Sequence, residues 1–171
     1  MTIRQSYRYI GADDLLDLNT DRQCVRRQAD VLSWIATTSQ RLQNQSITAT
    51  FVIDTEGWLW IADRRSEHVA CARGGRVLSA GEMTFDMQNG VSVTDATNQS
   101  LGYCPEPESW LAVADALTRA DIPGPPDFTN AYIIRLCETC KTKNIVKEGV
   151  FECEVCESAL SGQWNLDPAC V

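Results

Sequence analysis

From residue 47 onward the chain carries short apolar runs separated by turn formers. The runs I-T-A-T-F-V-I-D, W-L-W-I-A-D, E-H-V-A-C-A-R and R-V-L-S-A are rich in β-branched and aromatic residues, and D-T-E-G, D-R-R-S and G-G lie between them. Such runs predict strands. Asn89-Gly90 favours a tight hairpin before V-S-V-T-D-A-T. Spacers this short leave no room for parallel crossovers, so residues 47–98 predict an antiparallel meander of about five or six strands.

Elsewhere the apolar period lengthens. Gly11-Ala12-Asp13-Asp14 before L-L-D-L reads as a short helix with an acidic first turn. Thr20-Asp21-Arg22-Gln23 has the form of a capping box. Behind it Cys24, Gln28, Val31, Leu32, Ile35 and Leu42 recur at three- and four-residue steps, the stripe of an amphipathic helix. The prolines of C-P-E-P-E-S-W start a second helix near Glu106, with Trp110, Leu111, Val113, Ala114 and Leu117 on its apolar face. Ile122-Pro123-Gly124-Pro125-Pro126 ends it and reads as a semi-rigid spacer. The expected layout is an α+β domain over residues 1–121, a Pro-rich linker over 122–130 and a small module over 131–171, without internal repeats.

The composition narrows the class. The chain has 171 residues, 44% hydrophobic and 22% charged, with a net charge of −8. It reads as globular, and its acidity works against bulk attraction to polyanions. No apolar run approaches the length of a membrane span, and M-T-I-R-Q-S-Y lacks the apolar core of a secretory signal. A cytoplasmic protein is the expectation. Of the eight cysteines, Cys24, Cys71, Cys104 and Cys170 are scattered. They are expected to be reduced, the internal ones buried.

The other four carry the clearest chemistry. Cys137 and Cys140, then Cys153 and Cys156, form two Cys-x-x-Cys pairs separated by twelve residues. In a chain with reduced thiols such pairs are metal ligands. A hairpin through Lys147-Glu148-Gly149 would bring the four thiolates together around one structural Zn2+, with iron the other ion suited to this geometry. The stretch C-E-T-C-K-T-K-N-I-V-K-E-G-V-F-E-C-E-V-C, with Trp164 behind it, resembles a zinc ribbon over residues 136–165. That resemblance implies two zinc knuckles on a β-hairpin, and departs from the family pattern in having Glu157 where a glycine is common. Ribbons serve binding proteins and enzymes alike, so it names no activity. Lys141, Lys143 and Lys147, near Arg135, are a candidate nucleic-acid contact, but residues 132–171 hold four basic against six acidic residues.

No hydrolase, P-loop, zinc-protease or deaminase signature occurs. The only histidine, His68, with Cys104 at a helix start, is the thiol–imidazole pair to test for catalysis. If residues 68–71 form a strand, Cys71 faces away from His68 among apolar neighbours and is inert. Gly81 marks a bend or bulge that could set Glu82 at its edge. Asp54, Glu56, Asp63, Glu67 and Glu82 read as solvated turn acids. Trp58 and Trp60 share one sheet face, either as core beneath a helix or as an exposed contact patch. The sequence favours a non-enzymatic adaptor or regulator with a protein partner. A small thiol or carboxylate enzyme is the alternative, and a nucleic-acid-linked regulator the third reading.

Overall fold

A computed structural model describes residues 4–167, so Cys170 lies outside the described residues. The chain divides into two compact units, Met1–Ala131 and Tyr132–Val171.

The first unit is α+β. Its antiparallel sheet contains β1 (Arg22–Val25), β2 (Ser46–Asp54), β3 (Leu59–Asp63), β4 (Val77–Asp86) and β5 (Ser92–Ala96), in the order β1-β3-β2-β4-β5. The helices are α1 (Gln28–Thr37), α2 (His68–Cys71) and α3 (Trp110–Arg119). Single 3-10 turns occupy Asp13–Asp17 and Pro107–Ser109.

Residues 22–25, expected to open a helix, instead pair with β3 from Arg22↔Ala62 to Val25↔Leu59. Thr20 does not cap: its hydroxyl lies 2.8 Å from Ser66 Oγ. The helix begins at Gln28, where the Asp30 carboxylate accepts the backbone N–H groups of Arg26 and Arg27. Val31 and Trp34 form its buried face, while Leu32 and Leu42 of the expected stripe are exposed. Sheet pairing settles an apolar spacing that local sequence leaves ambiguous.

The run H-V-A-C, expected as a strand, is α2. Thirteen residues separate β3 from β4, enough for a helical crossover. That crossover takes the chain past β2, so β3 and β4 flank β2, each antiparallel to it. The strand order is therefore not that of a simple meander.

Strand alternation sorts the side chains. Phe51 lies opposite Ile61 and Gly81, and Ile53 opposite Leu59 and Ser79. On that face Phe51, Ile53, Leu59, Ile61, Met83 and Phe85 form one buried cluster with Val31 and Trp34 of α1 and Trp110, Val113 and Leu117 of α3. Both main helices thus cover the same face. The opposite face meets α2 and the segment before it: Thr50 Oγ1 donates to Arg64 O and Ser66 O, and Cys71 Sγ of α2 to Trp60 O.

Gly81 sits where two backbones touch rather than at a bulge. A Cβ there would lie 1.8 Å from Thr97 O, and Thr97 N donates to Glu82 O. The Pro-rich segment, expected as a spacer, packs against the first unit. Val93 N donates to Pro123 O and Thr129 N to Ala96 O along the outer edge of β5. Ile122 and Phe128 are buried, and Phe128 meets the Trp110 ring edge-on at 5.0 Å. The segment covers a strand edge that would otherwise be open to pairing with another chain.

The second unit is built on β6 (Ile134–Leu136) paired with β7 (Lys143–Ile145). The first cysteine pair lies in the loop joining them. The expected turn through Lys147-Glu148-Gly149 closes, with Lys147 bridging Val150, but the pairing does not continue along β7. Glu152 bridges Ala159, and Leu160 N donates to Phe151 O, so the second pair occupies its own short hairpin. Among the described residues no helix is long and apolar enough to cross a membrane.

Candidate metal centre

Each cysteine pair is held by the same backbone hydrogen bonds. Lys141 N donates to Cys137 O and Glu157 N to Cys153 O, both at 2.9 Å. Cys137 N donates to Thr142 O and Cys153 N to Ser158 O. Lys141 (φ 63°) and Glu157 (φ 61°) both take the left-handed conformation, so the second knuckle closes as the first does without a glycine. The match is visible in the chain as C-E-T-C-K-T against C-E-V-C-E-S, sixteen residues apart. This is the internal repeat that was not expected.

The two knuckles aim four thiols at one point. The Sγ atoms of Cys137, Cys140, Cys153 and Cys156 all lie within 4.8 Å of one another. Cys137 and Cys156 are 3.5 Å apart and Cys140 and Cys153 3.6 Å. Those separations are far too long for disulfides and match the sulfur–sulfur edge of ~3.8 Å in a tetrahedron with metal–sulfur bonds of ~2.3 Å. Among the described residues no other group of three or more His, Cys, Asp or Glu side chains gathers in this way.

Donors around the second knuckle favour the thiolate form at Cys153 and Cys156, whereas burial and the neighbouring thiols raise Cys137. Cys140 N points at Cys137 Sγ (3.5 Å) and Val155 N at Cys153 Sγ (3.4 Å). The Thr142 and Ser158 hydroxyls lie 3.4 and 3.3 Å from Cys140 and Cys156 Sγ. The Cys156 and Val155 backbone N–H groups, with the Asn144 amide, bring the Cys153 thiol down to about 6. The Ser158 hydroxyl and N–H likewise lower Cys156.

Asn144, which the sequence did not mark, links the two knuckles. It is buried on β7; its Nδ2 donates to Thr142 O and to Cys153 Sγ at 3.4 Å, and its Oδ1 accepts Glu154 N. A polar residue between Lys143 and Ile145 gave no signal beyond its place in a short strand. Asn144→Ala is expected to weaken metal binding by roughly tenfold, as loss of a group supporting the ligands commonly does. A competition titration against a chromogenic chelator reads this directly.

The basic face proposed for nucleic acid is narrower than the sequence suggests. Lys147 Nζ is 2.7 Å from Glu154 Oε1. Arg135 is buried, donating to the carbonyls of Ile134, Ser161 and Gly162. Lys141 and Lys143 are exposed.

Among the described residues no hydrogen bond joins the catalytic candidates His68 and Cys104. His68 Nε2 lies 2.9 Å from Gly81 O; a carbonyl only accepts, so this nitrogen carries the proton. Burial holds its pKa below the ordinary 6.5. Cys104 is buried and its thiol donates to Leu101 O. On α2, His68 and Cys71 are three residues apart and share a helical side, contrary to the strand reading. Cys71 is nonetheless inert: burial pushes its thiol up to about 12.

The shift at His68 gives the first unit a pH dependence. Above 6.5 the imidazole is neutral whether folded or unfolded, so it contributes none. As pH falls below 6.5, the unfolded chain takes up a proton that the folded one resists, and stability drops. His68→Gln, which can still donate to Gly81 O, is expected to flatten this part of a stability–pH profile measured by urea unfolding.

Asp54, Asp63 and Glu82 are not simply solvated turn acids, and Asp63 Oδ1 accepts Arg65 N. Asp54 Oδ1 accepts the N–H groups of Glu56 and Trp58, and Oδ2 accepts Trp60 Nε1. Glu82 pairs with Arg64 at 3.2 Å. Trp58 and Trp60 are half-buried under arginines: Arg22 stacks over Trp60 at 3.7 Å, and Arg119 and Arg26 over Trp58 at 4.3 and 5.0 Å. They are neither helix-covered core nor a bare aromatic patch.

Comparison with family models, curated proteins and solved structures finds no match to the chain.

Proposed function

We propose that the C-terminal unit is a zinc-ribbon-like module in which Cys137, Cys140, Cys153 and Cys156 hold one structural zinc ion. The chain as a whole is then a non-enzymatic interaction protein. The convergence of four sulfurs within 4.8 Å carries the first part. Four soft ligands complete a tetrahedral shell, leaving no open position for water or substrate, and zinc suits that closed shell better than a hard cation does. Iron fits the same sulfur geometry and is the ion to test against. The ion would supply folding energy rather than chemistry.

The interaction reading rests on the first unit. His68 and Cys104 are each engaged with a backbone carbonyl, and no hydrogen bond joins them among the described residues, which favours a binding role over a thiol–imidazole pair. A protein partner suits a chain of net charge −8 better than a polyanion does. Iodoacetamide labelling followed by mass spectrometry tests this reading. Cys104 and Cys71 should react more slowly than a free cysteine in solution, whereas rapid alkylation of Cys104 would replace the adaptor reading with that of a thiol enzyme.

A further inference from the structure

The first unit contains a cavity of about 600 Å³ between the start of β1, the end of α1 and the segment after α2. Its size falls in the range of small-molecule sites, roughly 300–1,000 Å³. Arg22, Arg73, Asp21, Asp63, Thr38 and Ser39 line it.

The two arginines are held in place without a carboxylate partner. Arg22 Nη1 donates to Cys71 O at 2.9 Å, and its guanidinium lies on Trp60, whose indole N–H is fixed by Asp54. Arg73 Nη2 reaches Thr20 O. Burial and the neighbouring Arg73 charge both depress the Arg22 pKa. Neither guanidinium forms a salt bridge among the described residues, and each keeps N–H donors to spare. Arg73 also has φ 54°, a left-handed conformation that glycine would take without strain, although Gly74 is the next residue. Strain retained at a cavity wall is a pointer to use.

The anchored guanidinium of Arg22 and the exposed one of Arg73, 3.5 Å from Thr20 O, suit a phosphate, whose oxygens accept paired N–H donors. Asp21 and Asp63 bear on the rest of the ligand. Asp63 Oδ1 accepts Arg65 N, leaving its second oxygen as an acceptor, and the carbonyl end of α1 adds partial negative charge. A bare anion would meet repulsion there, whereas hydroxyl groups would find acceptors. We propose that this cavity binds a small phosphorylated polyol of the sugar-phosphate class, with its phosphate on Arg22 and Arg73 and its hydroxyls on Asp63 and Asp21. The site is independent of the metal module, and its test does not depend on the zinc reading.

Isothermal titration of the full chain with ribose 5-phosphate, ribose and inorganic phosphate provides that test. Ribose 5-phosphate should bind saturably with Kd below about 1 mM, and each half-ligand at least about tenfold more weakly. Arg73→Gly removes the guanidinium while relieving the backbone. It should weaken ribose 5-phosphate binding at least about tenfold with the melting temperature unchanged or raised. The proposal is overturned if ribose 5-phosphate does not bind saturably, if phosphate alone binds equally well, or if Arg73→Gly leaves its binding intact. A lower melting temperature in Arg73→Gly with unchanged binding would make Arg73 a structural residue only.

Discussion

Replacing Cys153 by serine is expected to release the metal and unfold residues 132–171, while the first unit keeps its fold. The module has almost no core of its own: Cys137, Cys153 and Leu160 are its buried cluster, with Cys140, Val146 and Phe151 packed around them. Two of the four clustered cysteines are themselves part of that core, and the paired strands span only three residues each. A unit this small folds only with a staple, and structural zinc contributes about 10–16 kcal/mol in comparable peptides at neutral pH. Serine offers a hard oxygen that stays protonated, so the tetrahedral shell would open. The first unit has a separate cluster running from Val25 to Phe128.

Lysine placement makes the outcome easy to read. The chain's three lysines, Lys141, Lys143 and Lys147, all lie in the module. A lysine-specific protease should spare the metal-loaded protein but cut Cys153→Ser rapidly, leaving an intact fragment that ends within residues 141–147. Equal resistance in the two proteins would refute a metal-dependent module. Removing the ion with a chelator should reproduce the behaviour of the variant.

Gly81→Ala is expected to be the most damaging single change in the first unit. Its Cβ would fall 1.8 Å from Thr97 O, 2.7 Å from Thr97 C and 3.1 Å from Asn98 Cα. All three obstacles are backbone, so no rotamer change relieves them. β4 must separate from the chain at Thr97 or distort, at a cost of about 3 kcal/mol or more. That corresponds to a drop in melting temperature of roughly 10 °C for a unit of this size. Gly74→Ala is the control: nothing lies within 4 Å of its Cβ, and only its φ of 75° opposes the substitution, at about 1 kcal/mol. If Gly81→Ala melts no lower than Gly74→Ala, the close approach is not a constraint on the fold.

The features legible in the sequence are those that local chemistry decides. β2, β3, β4 and β5 follow from β-branched runs between turn residues, with Asn89-Gly90 joining the last two. α3 follows from prolines at its start and an apolar stripe. The four-cysteine cluster follows from spacing, because each Cys-x-x-Cys turn brings its two sulfurs together. Errors arose where distant pairing decides. R-Q-C-V and H-V-A-C are four-residue segments that fit either period, and only the neighbouring β3 or β2 determines which forms. Proline content showed that residues 122–130 could not be helical, but not that they lie along β5. Arg22, Arg119 and Asp54 converge on Trp58 and Trp60 from well-separated parts of the chain, and nothing local foretells that. Asn144 was hidden for the same reason: its partners Cys153 and Glu154 belong to the other knuckle.

One metal ion held by four cysteines has a stoichiometry that can be counted. Elemental analysis of the full chain, purified without added metal and paired with a thiol count before and after chelation, tests it most directly. About one zinc ion per chain is expected, with Cys137, Cys140, Cys153 and Cys156 shielded from the thiol reagent until the chelator is added. Less than about half a metal ion per chain, with those thiols reactive from the outset, would contradict it.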